Sequence, residues 1–316
     1  MAVERVVIIP RNGYVNRLQA LVSAQILAEE LDASLGVDWI PQPAAPAVVS
    51  DVLESGAWDS HMADASEVLP DGMTPDTVPI GVTKAPGEVL LLAGGILGEQ
   101  AFMPQLRNEF KQNPAVIVIV AGGKFWLQGD RELSTTQAAD FRTLRCDRYA
   151  HLPLNSAIES SAKQFISSLP ESYLGLHLRY SDRNFQAPLR RTIKHAVAEQ
   201  RSTSENTIFV CGDDPRRVNR WSDYLAQHGW DVRMNETSQD NASSRRPASA
   251  LVDWRILASS SRVTFFAESS FGEEAAVASG HFDESLGLPP SRLRASAMRA
   301  GMLIRSAVTY PSRHWS

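Results

Sequence analysis

Apolar residues along this chain alternate between short β-branched runs and longer stretches where they recur every three to four positions. The run RVVII at 5–9 predicts a strand. Residues 16–31 then carry Leu18, Leu21, Val22 and Ile26 at helical spacing, and ASLGVDW at 33–39 predicts a second strand. Asn16, after the glycine-containing turn PRNGYV, is expected to cap that helix. Strand, helix and strand in succession imply parallel pairing through a right-handed crossover. EVLLLAG (88–94) and AVIVIVAGG (115–123) predict two more strands, so the N-terminal half should hold about four. Residues 41–86 are rich in proline and acidic side chains and show little periodicity. They are expected to form an insertion of loops and short helices.

A second series begins near residue 155. Helix 156–169, strand YLGLHLR (173–179), helix 189–200 and strand TIFVC (207–211) come first. A helix over 213–229, strand WDVRM (230–234), a polar loop over 235–246, a helix over 248–260, strand RVTFF (262–266) and a last helix over 269–280 follow. The pattern predicts an α/β protein of two Rossmann-like halves, 1–154 and 155–316, with separate sheets facing a central cleft.

The balance of 43% hydrophobic and 21% charged residues is that of an ordinary folded chain. A net charge of −5 argues against a general polyanion binder, nucleic acid included, so any anion site must be local. Cys146 and Cys211 lie in no Cys-x-x-Cys or Cys/His cluster, which argues against a disulfide scaffold or structural zinc and fits a reducing cytoplasm. The apolar run before Pro10 is too short for a signal-peptide core or a membrane span, and no later window reaches that length, so no membrane partner is expected.

Four stretches could carry chemistry. In YLGLHLRYSDR, His177 and Arg179 project from one face near the C-terminal end of a strand, where open parallel sheets bind ligands. A guanidinium there suits a phosphate, while an ion pair of Arg179 with Asp182 or Asp253 is the structural alternative. In IFVCGDDPRRV, Asp214 before Pro215 reads as a helix cap and Asp213 is available to a purine edge or ribose. In FFAESSFGEE, Ser269, Ser270 and Phe271 open a helix whose serines can cap it and whose amides can hold a phosphate. The fourth is Gly13-Tyr14-Val15-Asn16-Arg17.

Together these stretches resemble the fucosyltransferase-like GT-B glycosyltransferases, which include nodulation and core α1,6-fucosyltransferases and protein O-fucosyltransferases. The family's Gly-x-Gly-Asn-Arg/Gln loop is similar to Gly13–Arg17, and its His-x-Arg-x-x-Asp motif to His177, Arg179 and Asp182. Its Ala-Thr-Asp-Asp strand end is similar to Cys211–Asp214, and its late Ala-Leu-x-Asp helix and Ser-Ser-Phe turn to Ala250–Asp253 and Ser269–Phe271. The resemblance implies an inverting, metal-independent glycosyltransferase without a cofactor, using a nucleoside diphosphate sugar, GDP-fucose first, on a small-molecule acceptor such as a bacterial specialised metabolite. By the same resemblance Arg179 grips the β-phosphate, Ser269–Phe271 donates to the pyrophosphate, and His177 with Asp213 or Asp214 contacts the nucleoside. Gly13, Asn16, Arg17, Asp182 and Arg183 complete the donor site. Val15 replaces the family's second glycine, and Ala187 stands where the α1,6-enzymes carry an acidic residue. Asp38 and Glu268 are the substitute candidates for a base. A nucleotide-sugar-binding protein without turnover, a transferase for another sugar, and a metal-dependent enzyme built on Asp213 and Asp214 are the competing possibilities. Residues 41–86 are the expected acceptor loops, and Arg245 and Arg246 are available to a phosphate.

Overall fold

The computed structural model describes residues 3–79, 81–85, 88–94, 114–125, 135–180, 187–201, 206–235, 247–267 and 269–290. Strand β1 (Arg5–Pro10) leads into helix α1 (Tyr14–Glu30) and strand β2 (Ser34–Val37), with β1 and β2 parallel as the strand-helix-strand pattern requires. Strands β3 (Gly81–Ala85), β4 (Val89–Gly94) and β5 (Val116–Ala121) complete a five-stranded sheet in the order β2-β1-β5-β4-β3. Only β3 is antiparallel in it, joined to β4 as a hairpin. That strand lies between Pro79 and Pro86, inside the segment expected to hold only loops and short helices. Its partner strand, too distant for local periodicity to show, supplies the pairing.

Helices α2 (Thr135–His151) and α3 (Ser156–Ile166) lead to the second sheet. Strand β6 (Leu174–Leu178), helix α4 (Arg190–Gln200), β7 (Thr207–Gly212), helix α5 (Pro215–Gln227) and β8 (Asp231–Arg233) follow in turn. Helix α6 (Pro247–Ala258), β9 (Arg262–Phe266), helix α7 (Ser270–Ala278) and β10 (Leu286–Leu288) close the series. This sheet is parallel throughout, in the order β10-β9-β6-β7-β8. Helix α2 and strand β10 were not legible beforehand. Repeated arginines mask the buried Phe141, Arg145 and Tyr149 face of α2, and β10 is three residues long.

Side-chain parity sorts the strands into layers. In β1, Val6 and Ile8 face one core while Val7 and Ile9 face another, which Ala65, Leu69 and Val78 of the proline-rich segment cover. In the second sheet Leu174, Leu176, Ile208 and Val210 pack outward under α4 and α5, whereas Phe209, Cys211, Val263 and Phe265 face inward. The two inward faces share one core. It contains Leu18 and Leu21 of α1, Tyr149 of α2, Ile158 of α3, Trp254 of α6 and Val277 of α7. A single helical layer therefore lies between the sheets and binds both halves together. Among the described residues no helix is long and apolar enough to cross a membrane.

Candidate functional site

The site grows from the end of β6. Leu176 and Leu178 face outward, so His177 points into the helical layer. Its imidazole is 3% exposed, stacks on the Phe271 ring at 4.6 Å between centroids, and shares a 3.3 Å hydrogen bond between Nδ1 and Ser269 Oγ. Burial, reinforced by the Arg179 charge and opposed by Asp213, pushes the His177 pKa down to about 3. The ring is neutral and holds the Ser269–Phe271 turn from beneath.

Arg179 follows by the same parity, since Tyr180 packs outward against Phe266 and donates no charge to this face. Its Nε lies 3.3 Å from Asp213 Oδ2, with about a third of the arginine side chain exposed. The other Asp213 oxygen accepts the Tyr180 backbone N–H at 2.6 Å. Asp213 thus ties the β7 end to the β6 end and aims the guanidinium. The β6–β7 register brings this about, setting His177 opposite Cys211 and carrying Asp213 alongside Arg179. Asp214 caps α5, accepting the Arg217 N–H at 3.2 Å and pairing with Arg217 Nε at 3.3 Å. Asp182, Arg183, Arg245, Arg246 and Glu268 lie outside the described residues.

The Ser-Ser-Phe turn meets the N-terminal half. Ser269 occupies the N-cap position of α7 but makes no capping bond with its side chain, which goes to His177 instead. Ser270 Oγ donates to Asn16 Oδ1. Asn16 is not the cap of α1, as the turn sequence suggested. Gly13 is the cap residue, the helix begins at Tyr14, and Asn16 sits in the first turn, free to face α7. A Cβ on Gly13 would meet nothing within 4 Å, so the N-terminus of α1 opens into space. Val15, in the place of the second glycine, is buried in the core and leaves that opening clear.

Arg17 is fully buried. Its Nε donates to Asn12 O at 3.1 Å and its Nη2 to Ile40 O at 2.9 Å, with the guanidinium 4.8 Å from the Trp39 ring centroid. Burial, with the nearby Arg11 charge, lowers its pKa to about 10, which leaves it protonated at neutral pH. It braces the loops after β1 and β2 from behind. Asp38, at the end of β2, is partly buried and accepts the Ala65 N–H at 3.0 Å, and burial raises its pKa. Ala187 is buried.

Two features escaped the sequence patterns. Asn235 Nδ2 donates to Asp253 Oδ1 at 2.9 Å, both residues being buried, and Cys211 has its pKa raised by burial and by the charges of Asp253 and Asp213. The larger feature is Glu274, fully buried in α7. Gln19 Nε2 donates to Oε1 at 2.8 Å, Tyr149 OH to Oε2 at 2.9 Å, and Arg145 grips both oxygens at 3.0 and 3.2 Å. Lys124 Nζ stands 3.6 Å from Oε1 and also pairs with Glu273. The one visible signal was a second glutamate among small apolar residues in FGEEAAVA.

Helices α1 and α7 lie side by side. Asn16 meets Ser270, and one turn further along each helix Gln19 meets Glu274, so the helices are parallel and present both N-termini at the same place. Each N-terminus carries about half a positive charge. Arg179, with its own positive charge, follows directly on the strand whose His177 lies beneath this turn. The arrangement can hold an anion with several oxygens.

No protein-family profile and no curated protein sequence matches this chain. Solved structures do. A point mutant of Arabidopsis thaliana FUT1 in complex with GDP aligns with a TM-score of 0.56 at 13% identity, over 88% of this chain and 69% of that one. POFUT1 in complex with GDP gives 0.51 at 12% identity, over 90% and 97% of the two chains. NodZ α-1,6-fucosyltransferase co-crystallized with GDP gives 0.51 at 18% identity, over 88% and 92%. The chain has the GT-B fold of these fucosyltransferases.

Proposed function

We propose that the protein is a glycosyltransferase that binds a nucleoside diphosphate sugar, GDP-fucose first among them, between α7 and α1 and passes the sugar to a small-molecule acceptor held by the N-terminal half. The observation that carries this reading is the meeting of Ser270 with Asn16, which brings two helix N-termini together across the two halves. The similar structures described with GDP favour that nucleotide over others.

When the bond from sugar to diphosphate breaks, negative charge collects on the leaving oxygens and the sugar carbon becomes cationic. Fixed charge that is already oriented lowers that barrier without having to reorganise. Arg179, held by Asp213, and the first amides of α7 and α1 supply it. Neutral His177 keeps the serine turn in place without a second buried positive charge. The Arg179 contact grows stronger as the diphosphate leaves, so its removal should reduce turnover as well as binding. Asp38, at the end of β2 with a pKa raised by burial, is the carboxylate assigned here to take a proton from an acceptor hydroxyl.

Calorimetric titration with GDP, and release of GDP from GDP-fucose in the presence of EDTA, test the reading. Arg179→Ala should weaken GDP binding roughly 10- to 100-fold, the worth of a charge-assisted hydrogen bond, and abolish release. Stabilisation by a different nucleotide alone would overturn the choice of donor. The buried Ala187, where the α1,6-enzymes place an acid, favours a second reading as a binding protein without turnover. Tight GDP-fucose binding with no release, alone or with acceptors, would select it.

A further inference from the structure

We infer that Glu274 is a positioning residue that sets the spacing between the two walls of the proposed donor site; the inference rests on the reading of that site given above. Its place in the fold carries the argument. Helix α7 holds the Ser269–Phe271 turn at its N-terminus, and Glu274 lies one turn below on the side that faces α1. Among the described residues every partner of its carboxylate belongs to another element: Gln19 of α1, Arg145 and Tyr149 of α2, and Lys124 after β5. None of them belongs to the sheet on which α7 rests.

A fully buried ion pair is a poor way to add stability, because well-packed apolar side chains of the same volume do as well or better. What it adds is registry, since a carboxylate with both oxygens committed to four hydrogen-bond donors and an ion pair tolerates little sliding. Burial raises the pKa of Glu274, but Arg145 and Lys124 together with the hydrogen bonds from Gln19 and Tyr149 bring it below its ordinary value, so the group stays ionised. The upper contact, Ser270 with Asn16, then falls at a height fixed by the lower one, Glu274 with Gln19. The donor turn is thereby indexed to the N-terminal half rather than to its own sheet alone.

The decisive variant removes both charges together, Glu274→Leu with Arg145→Met, and leaves no buried ion unpaired. With thermal unfolding unchanged within a few degrees, GDP affinity by titration calorimetry should fall tenfold or more, and amide exchange at residues 269–273 of the ligand-free protein should quicken at least tenfold. Unchanged affinity and unchanged exchange in the folded double variant would overturn the positioning role. If the double variant does not fold, Tyr149→Phe decides. It removes one hydrogen bond, and a three- to fivefold weaker GDP affinity with faster exchange in the turn supports the role, while no change in either overturns it. A wild-type protein that fails to bind GDP would refute the donor reading, and amide exchange, which needs no nucleotide, would still judge the indexing of the turn.

Discussion

A neutral histidine in a charged site has a measurable consequence. His177 titrates near 6.5 when exposed and near 3 in the folded protein. Below pH 6.5 the unfolded chain takes up a proton that the folded chain refuses, so stability falls as pH drops through that window and levels off only near pH 3. The slope approaches about 1.4 kcal/mol per pH unit. The His177 contribution to a urea-unfolding profile should therefore be a loss of about 1.6 kcal/mol between pH 6.5 and pH 5, and His177→Asn should flatten that part of the profile. Identical acid profiles for the two proteins would contradict a buried neutral imidazole. At this scale much was legible, because strand parity alone places His177 and Arg179 on one face. The contact of Asp213 with Arg179 was not. It depends on the register of β6 with β7, and those strands are separated by a whole helix.

Among the elements, α7 shows how closely the turn is fitted. Gly272 lies in its first turn, where helix propensity alone would favour alanine by about 1 kcal/mol. A Cβ there would stand 2.3 Å from Phe265 Cβ and 3.2 Å from His177 Nδ1. Phe265 is part of a central strand and cannot swing aside. Relief requires α7 to lift off the sheet, a cost of about 1–3 kcal/mol that outweighs the gain in propensity. Gly272→Ala should lower thermal stability and weaken GDP binding together; a raised melting temperature would show that the helix has room to move. Elements with their own periodicity, such as β1, β6, β7 and α5, were readable in the sequence. Strand β3 and helix α2 were not, since their stability comes from β4 and from the core that Tyr149 and Phe141 enter. Asn16 misled for a related reason. An asparagine near a helix start usually caps it, but here Gly13 leaves the helix end open and Asn16 serves the neighbouring helix.

At the scale of the molecule, two sheets usually suggest two units that unfold separately, and the repeat of strands and helices made two halves easy to see. The core they share was harder to see, although α1 hinted at it. Leu18, Ala20, Leu21, Val22 and Ala24 are all buried, on more of the circumference than one sheet can cover. One helical layer packs on both inward faces, and the Glu274 cluster ties α7 to α1 and α2 inside it. Opening either half would expose apolar surface of the other and strand a buried carboxylate or guanidinium without its partner, at several kcal/mol for the charge alone. Unfolding of the intact chain should therefore be one cooperative transition, with calorimetric and van't Hoff enthalpies in a ratio near one. Trp254 in the shared layer and Trp221 of α5 belong to different cores, and variants that keep only one or the other of the seven tryptophans should report the same midpoint. Two resolved calorimetric peaks, or midpoints that separate by more than a few degrees, would mean that the halves are independent and that the joint between α1 and α7 opens before either core is lost.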